Sequence, residues 1–99
     1  MAAMSEAVVR EKLQHLPGWS FTGASIERKF NFDDFMTGIE FVNRVAEAAE
    51  SAGHHPDITI NYSRVTIALS THSEGGVTQK DFDLAHQIHG LERTEGPAH

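Results

Sequence analysis

The chain has 99 residues, 39% of them hydrophobic and 22% charged, carries a formal charge of −6 and contains no cysteine. That length fits a single domain over residues 1–99, ordered from about 5 to 91, and a chain of this size buries about 60–70% of its unfolded surface. The composition excludes disulfides, thiolate metal sites and cysteine nucleophiles, and the acidic balance with no basic stripe argues against binding a nucleic-acid backbone.

No apolar run approaches the roughly 20 residues of a membrane span. Residues 1–6 lack the basic-then-apolar pattern of a secretory signal, so the expected location is the cytoplasm.

Ser5 can cap a first helix running to about residue 15, with Val9, Leu13 and Leu16 on one face. Pro17 and Gly18 end it. Trp19 and Phe21, then Ile26, Arg28 and Phe30, alternate with other residues across a turn at 23–25, which predicts a β-hairpin. Asn31 or Asp33 can cap a second helix, in which Phe35, Ile39, Val42, Ala46 and Ala49 recur at helical spacing. Gly53 supplies a left-handed terminator.

His54, His55 and Pro56 form the exit. Proline disfavours helical geometry in the residue before it, so the histidine pair sits on extended backbone. Ile58, Ile60 and Tyr62 form one strand and Val65, Ile67 and Leu69 the next, joined tightly over residues 61–64. Residues 73–76 read as a flexible loop. Thr78 and Asp81 have capping-box spacing at the start of a third helix, which carries Phe82, Ala85 and Ile88 inward and ends near Gly90. Residues 94–99 read as a frayed tail.

The order is helix, hairpin, helix, hairpin, helix. It predicts an α+β two-layer sandwich: an antiparallel four-stranded sheet with three helices on one face. The small core and an exposed edge strand favour a homo-oligomer.

The chemistry concentrates around the second hairpin. Antiparallel pairing returns His72 beside His54 and His55. Histidine exchanges protons near neutral pH with little tuning, so the cluster suggests a proton-transfer site. It is a poor metal site, because adjacent residues on extended backbone point to opposite sides and no HExxH or His-x-His spacing occurs. Asp81 can reach back to its own helix N-terminus, or else orient a histidine or meet a donor on a bound ring. Glu50 is either a solvated surface residue or a support for His54, one turn on. His86 and His89 read as surface residues. No nucleophile elbow and no phosphate-binding glycine loop is present.

The string from Glu50 through His54-His55-Pro56-Asp57, Tyr62, Val65, Ser70-Thr71-His72 and Gly76 to Asp81-Phe82 resembles the pterin-4a-carbinolamine dehydratase family, over about residues 19–88. The resemblance implies the same fold and a hydro-lyase that removes water from 4a-hydroxytetrahydrobiopterin to give the quinonoid dihydropterin, in tetrahydrobiopterin recycling. It implies catalytic roles for His54 and His72, and for His55 as the histidine that also contacts substrate beside Asp81, Glu50 and Pro56. It further suggests that Asp81 contacts or orients the third histidine and that Glu50 supports the first. No metal or redox cofactor is implied.

The implied partners are a pterin substrate and copies of the same chain, as dimer or tetramer. Some relatives have a tryptophan after the His-His-Pro stretch; here Ile58 follows Asp57, which bears on how a pterin would stack. Two other roles occur among such proteins: dimerisation cofactor of a homeodomain transcription factor, and assembly factor for a carbon-fixing enzyme. The assembly factors tend to lose the catalytic histidines, which this chain keeps. Dehydration of another pterin, such as a molybdenum-cofactor intermediate, is a further alternative.

Overall fold

The computed structural model describes residues 2–94. It contains α1 (Glu6–Leu13), β1 (Ser20–Phe21), β2 (Ile26–Asn31), α2 (Phe35–Ala52), β3 (Asp57–Asn61), β4 (Arg64–Leu69), a 3₁₀ turn (His72–Glu74) and α3 (Gln79–Thr94). The strands form one antiparallel sheet in the order β1-β2-β4-β3, with the helices against one face, as the element order predicts.

The register explains the two layers. Cross-strand partners share a face, and the pairs Ile26–Leu69, Phe30–Val65 and Ile58–Ile67 point toward the helices. Ile26, Phe30, Val65, Ile67 and Leu69 are buried there with Val9 of α1, Phe41 and Val45 of α2, and Phe82, Leu84, Ala85 and Ile88 of α3. Phe41 stacks at a tilt on both Phe30 and Phe32, with ring centroids 4.7 and 5.1 Å apart. Trp19 meets Phe30 edge-on.

Ser5 caps α1 by accepting from the Val8 amide. The helix closes at Leu13, two residues short of the expectation, and tighter turns carry the chain on to the buried Leu16.

In α2 two expectations change. The cap is Asp34, whose Oδ1 accepts from the Thr37 amide at 2.8 Å. Asn31 is committed to pairing with Arg64 at the end of β2, and the Phe32 amide bonds to the Ser63 carbonyl. The buried face is also a different one: Gly38, Phe41, Val45 and Ala49 point inward. Of the expected stripe only Ala49 is buried. Ile39 and Val42 are half-buried, and Phe35 and Ala46 are exposed.

The buried Gly38 faces Val65 and Phe32, and a Cβ there would meet them at 3.4 and 3.5 Å, in ordinary van der Waals contact. Gly53 ends the helix at φ 63°, and the His54 amide bonds back to the Ala49 carbonyl.

Tyr62 stands in the β3–β4 turn rather than in the strand, at φ +53°. Residues 73–76 are not a loose loop. Thr71 and Gly76 form a bridge, with the Thr71 amide bonding to the Gly76 carbonyl at 2.8 Å.

The third helix passes through Gly90 and runs to Thr94. Leu91 packs on the core, and Arg28 of β2 bonds to Glu92 at 2.8 Å, so tertiary contacts outweigh the glycine. Thr94, expected in the tail, is thus the last residue of the helix, and the rest of that expectation falls on residues 95–99, which lie outside those described. No described helix is long and apolar enough to cross a membrane.

Candidate active site

The C-terminus of α2, the start of β3 and the end of β4 meet at one rim of the sheet. The β3–β4 register pairs Asp57 with Ala68. Continued backward, it sets His55 level with Ser70 and His54 level with Thr71. The Schellman-type end of α2 turns the chain into this rim, and Pro56 keeps His55 extended.

His54 is largely enclosed, with 13% of its side chain exposed. Its Nε2 lies 2.5 Å from Oδ1 of Asp81, which is fully buried. The other oxygen of Asp81 accepts from the Thr71 hydroxyl at 2.9 Å and from the Thr78 amide at 2.8 Å. The Thr71 and Thr78 hydroxyls are 2.8 Å apart, and both residues are buried. The carboxylate thus has three polar partners, as a buried charge requires.

Half of the capping box expected at Thr78 is present. Asp81 reaches back to the Thr78 amide, whereas the Thr78 hydroxyl turns to Thr71.

His55 is largely exposed, and its Nε2 lies 3.0 Å from Oε1 of the exposed Glu50. His72 follows Thr71 as the first residue of the 3₁₀ turn and is exposed. The carboxylate partners therefore differ from expectation. Asp81 bonds to the first histidine rather than the third, and Glu50 bonds to the second.

Thr71 and Thr78 are the members that sequence reasoning passed over. Thr71 stood only as part of a motif and Thr78 only as a cap. The available signal was a hydroxyl beside His72 and a second one at the capping position of Asp81.

Beyond the rim, His86 is exposed as expected. His89 is half-buried, with Nδ1 3.3 Å from an Arg28 nitrogen, so it belongs to the strap between α3 and β2. Among the described residues no group of three or more His, Cys, Asp or Glu is placed to hold a metal.

A fully enclosed carboxylate bound to a histidine, with two further histidines at the same rim, is an arrangement suited to moving protons. Residues 2–91 match the family described as pterin 4 alpha carbinolamine dehydratase. The chain belongs to that family.

Two bacterial relatives, from Acidobacterium capsulatum and a Cyanothece species, are each 50% identical to it. The first alignment covers 92% of this chain and 99% of the relative; the second covers 91% and 93%. Both carry the provisional name pterin-4-alpha-carbinolamine dehydratase. A crystal structure from Brucella melitensis, described as a transcriptional coactivator/pterin dehydratase, superposes with a TM-score of 0.84 at 37% identity, covering 90% of this chain and 97% of that one. A pterin dehydratase-like protein identified as a RuBisCO assembly factor in the alpha-carboxysome shares the fold, with a TM-score of 0.65 at 21% identity over 78% of this chain and 92% of its own. Membership supports pterin carbinolamine dehydratase activity.

Proposed function

We propose that this protein eliminates water from 4a-hydroxytetrahydrobiopterin, by histidine acid–base catalysis, in the recycling of tetrahydrobiopterin. The observation that carries the reading is the buried Asp81 carboxylate bonded to His54 at the rim that also bears His55 and His72.

In this reaction the bond from the ring carbon to the hydroxyl oxygen breaks. The oxygen takes up a proton and leaves as water, the neighbouring ring nitrogen loses its proton, and the electron pair left on that nitrogen closes a C=N bond. The step needs one acid and one base, and each well-placed group contributes about 10²–10⁴-fold. His54 and His72 take those roles. His55, with Glu50 and Pro56, borders the substrate, and Asp81 acts through His54. No redox change occurs, so no redox cofactor is called for.

We also infer that the working form is a homo-oligomer. Among the described residues β3 is an edge strand with one side free of pairing, and Ile60, Phe35, Met36 and Tyr62 are large apolar residues left exposed. An antiparallel edge can pair with its own two-fold copy, which makes a second chain the self-complementary partner. Sedimentation showing a monomer at all concentrations would refute this.

The deciding assay is acceleration of dehydration of chemically generated 4a-hydroxytetrahydropterin, followed by absorbance of the quinonoid product, beside His54→Ala and His72→Ala. Acceleration by the wild type and its loss in both variants is expected. A folded wild type with no effect would overturn the reading and direct attention to another pterin or to an assembly role.

A further inference from the structure

Resting on the reading of His54 as a proton-transfer group, we propose that the buried Thr71–Thr78 hydroxyl pair is a positioning unit that fixes the proton of His54 on Nε2, leaving Nδ1 to exchange protons with substrate. A threonine hydroxyl has one hydrogen to give. That of Thr71 goes to Oδ2 of Asp81 at 2.9 Å, so in its 2.8 Å contact with Thr78 it accepts. The donors therefore run in one direction, from Thr78 to Thr71 to Asp81.

Oδ2 also receives the Thr78 amide at 2.8 Å. With two donors on it, Oδ2 has no room for a proton of its own. Oδ1 alone faces His54, 2.5 Å from Nε2. While the threonines hold Asp81 as an acceptor, the hydrogen in that bond belongs to Nε2. Remove the Thr71 donor and the enclosed carboxyl keeps two of its three polar partners, and a buried charge is tolerated only when it is hydrogen-bonded. The pair can then take up one proton from solvent on Nδ1 as the shared hydrogen passes to the carboxyl, so that the oxygen donates, Nε2 accepts and the ring stays neutral.

Thr71 links the two proposed catalytic histidines as well. Its side chain acts through Asp81 on His54, and its backbone closes the loop that His72 opens, through the Gly76 bridge. Loss of the hydroxyl leaves the second connection intact, so Thr71→Val separates the two roles.

The test is nuclear magnetic resonance of protein labelled with ¹⁵N at histidine, with the His54 signals identified by their absence in His54→Gln. Above the titration of the ring, wild-type Nε2 should resonate as a protonated, pyrrole-type nitrogen and Nδ1 as a bare, pyridine-type one. In Thr71→Val both should move toward their average, and Thr71→Ser should keep the wild-type pattern. Thr78→Val should shift the same way but less, because its amide still donates.

A wild-type ring protonated on Nδ1, or a folded Thr71→Val with unchanged His54 resonances, would overturn the proposal. Should Thr71→Val not fold, Thr78→Val decides by the same criterion. On the pterin, Thr71→Val should lower kcat roughly tenfold or more with KM within about twofold, and Thr71→Ser should restore it. The resonance readout needs no substrate. A wild type with the expected tautomer but no dehydration would refute the function and support the positioning role.

Discussion

Asp81 stands 27 positions beyond His54 in the chain, yet its Oδ1 lies 2.5 Å from His54 Nε2. Asparagine at this position keeps the volume and an acceptor for the threonine side, but turns an NH₂ toward the ring and so favours the opposite tautomer. Asp81→Asn should lower kcat by about 10²–10⁴-fold while the chain still folds. Steady-state kinetics with a circular-dichroism melt would check this, and a kcat within a few-fold of wild type would count against it.

The Glu50–His55 pair is solvent-exposed on both sides. Exposed pairs of this kind hold side chains weakly. Glu50→Gln should leave kcat within about threefold, with any larger effect confined to KM. A collapse of kcat would move Glu50 into the proton-transfer machinery.

Two phenylalanines on α2 should behave differently. Phe41 is fully buried between Phe30 and Phe32, and Phe41→Ala should cost about 3–5 kcal/mol in urea unfolding. Phe35 is 43% exposed, and Phe35→Ala should cost less than about 1 kcal/mol in the dilute chain. Its effect should appear instead as weaker self-association in sedimentation.

Tyr62 holds a left-handed backbone at φ +53° with 69% of its surface exposed. That region costs an ordinary L-residue roughly 1–2 kcal/mol, and glycine gives back part of the difference in chain entropy. Tyr62→Gly should raise stability by about 0.5–1 kcal/mol. An unchanged or lower denaturation midpoint would show that the tyrosine ring makes up the difference.

The Asp34 cap should add an acid-sensitive component to stability. Bonds from the Thr37 amide, then from the Thr37 side chain, hold its carboxyl below the ordinary value of 3.8. A lowered folded pKa means that the cap contribution is fully present above about pH 3.8 and is lost as pH falls through the folded value. Asp34→Asn keeps a capping acceptor at every pH, so its stability should fall less steeply between pH 4 and pH 2 in thermal melts. Parallel acid limbs would refute this.

The element order, the sheet and the histidine rim were legible because they rest on long-period signals and on turn residues such as Gly53 and Pro56. The inner face of α2 was not. That helix is apolar around more than half its circumference, so periodicity cannot choose between adjacent stripes, and the inward Gly38 contributes no side chain to the pattern. The cap was misplaced because Asn31, Asp33 and Asp34 stand close together, and only strand pairing removes the first. The end of α3 was misjudged because Arg28, whose guanidinium ties down Glu92, lies far away in sequence. At the site, spacing suggested that Asp81 reaches back to Thr78. Which histidine it meets is decided by the hairpin register and the packing of α3, and a pair of enclosed hydroxyls leaves no periodic trace.

Asp81 serves two masters. It closes the first turn of α3 and it grips His54, so the durability of the fold and the competence of the site draw on one carboxylate. A descendant that gave up its histidines for another role would still need an acceptor at 81 for the helix. The aspartate should therefore outlast the chemistry in such lineages, and its presence alone would be a poor sign that a related chain is still an enzyme.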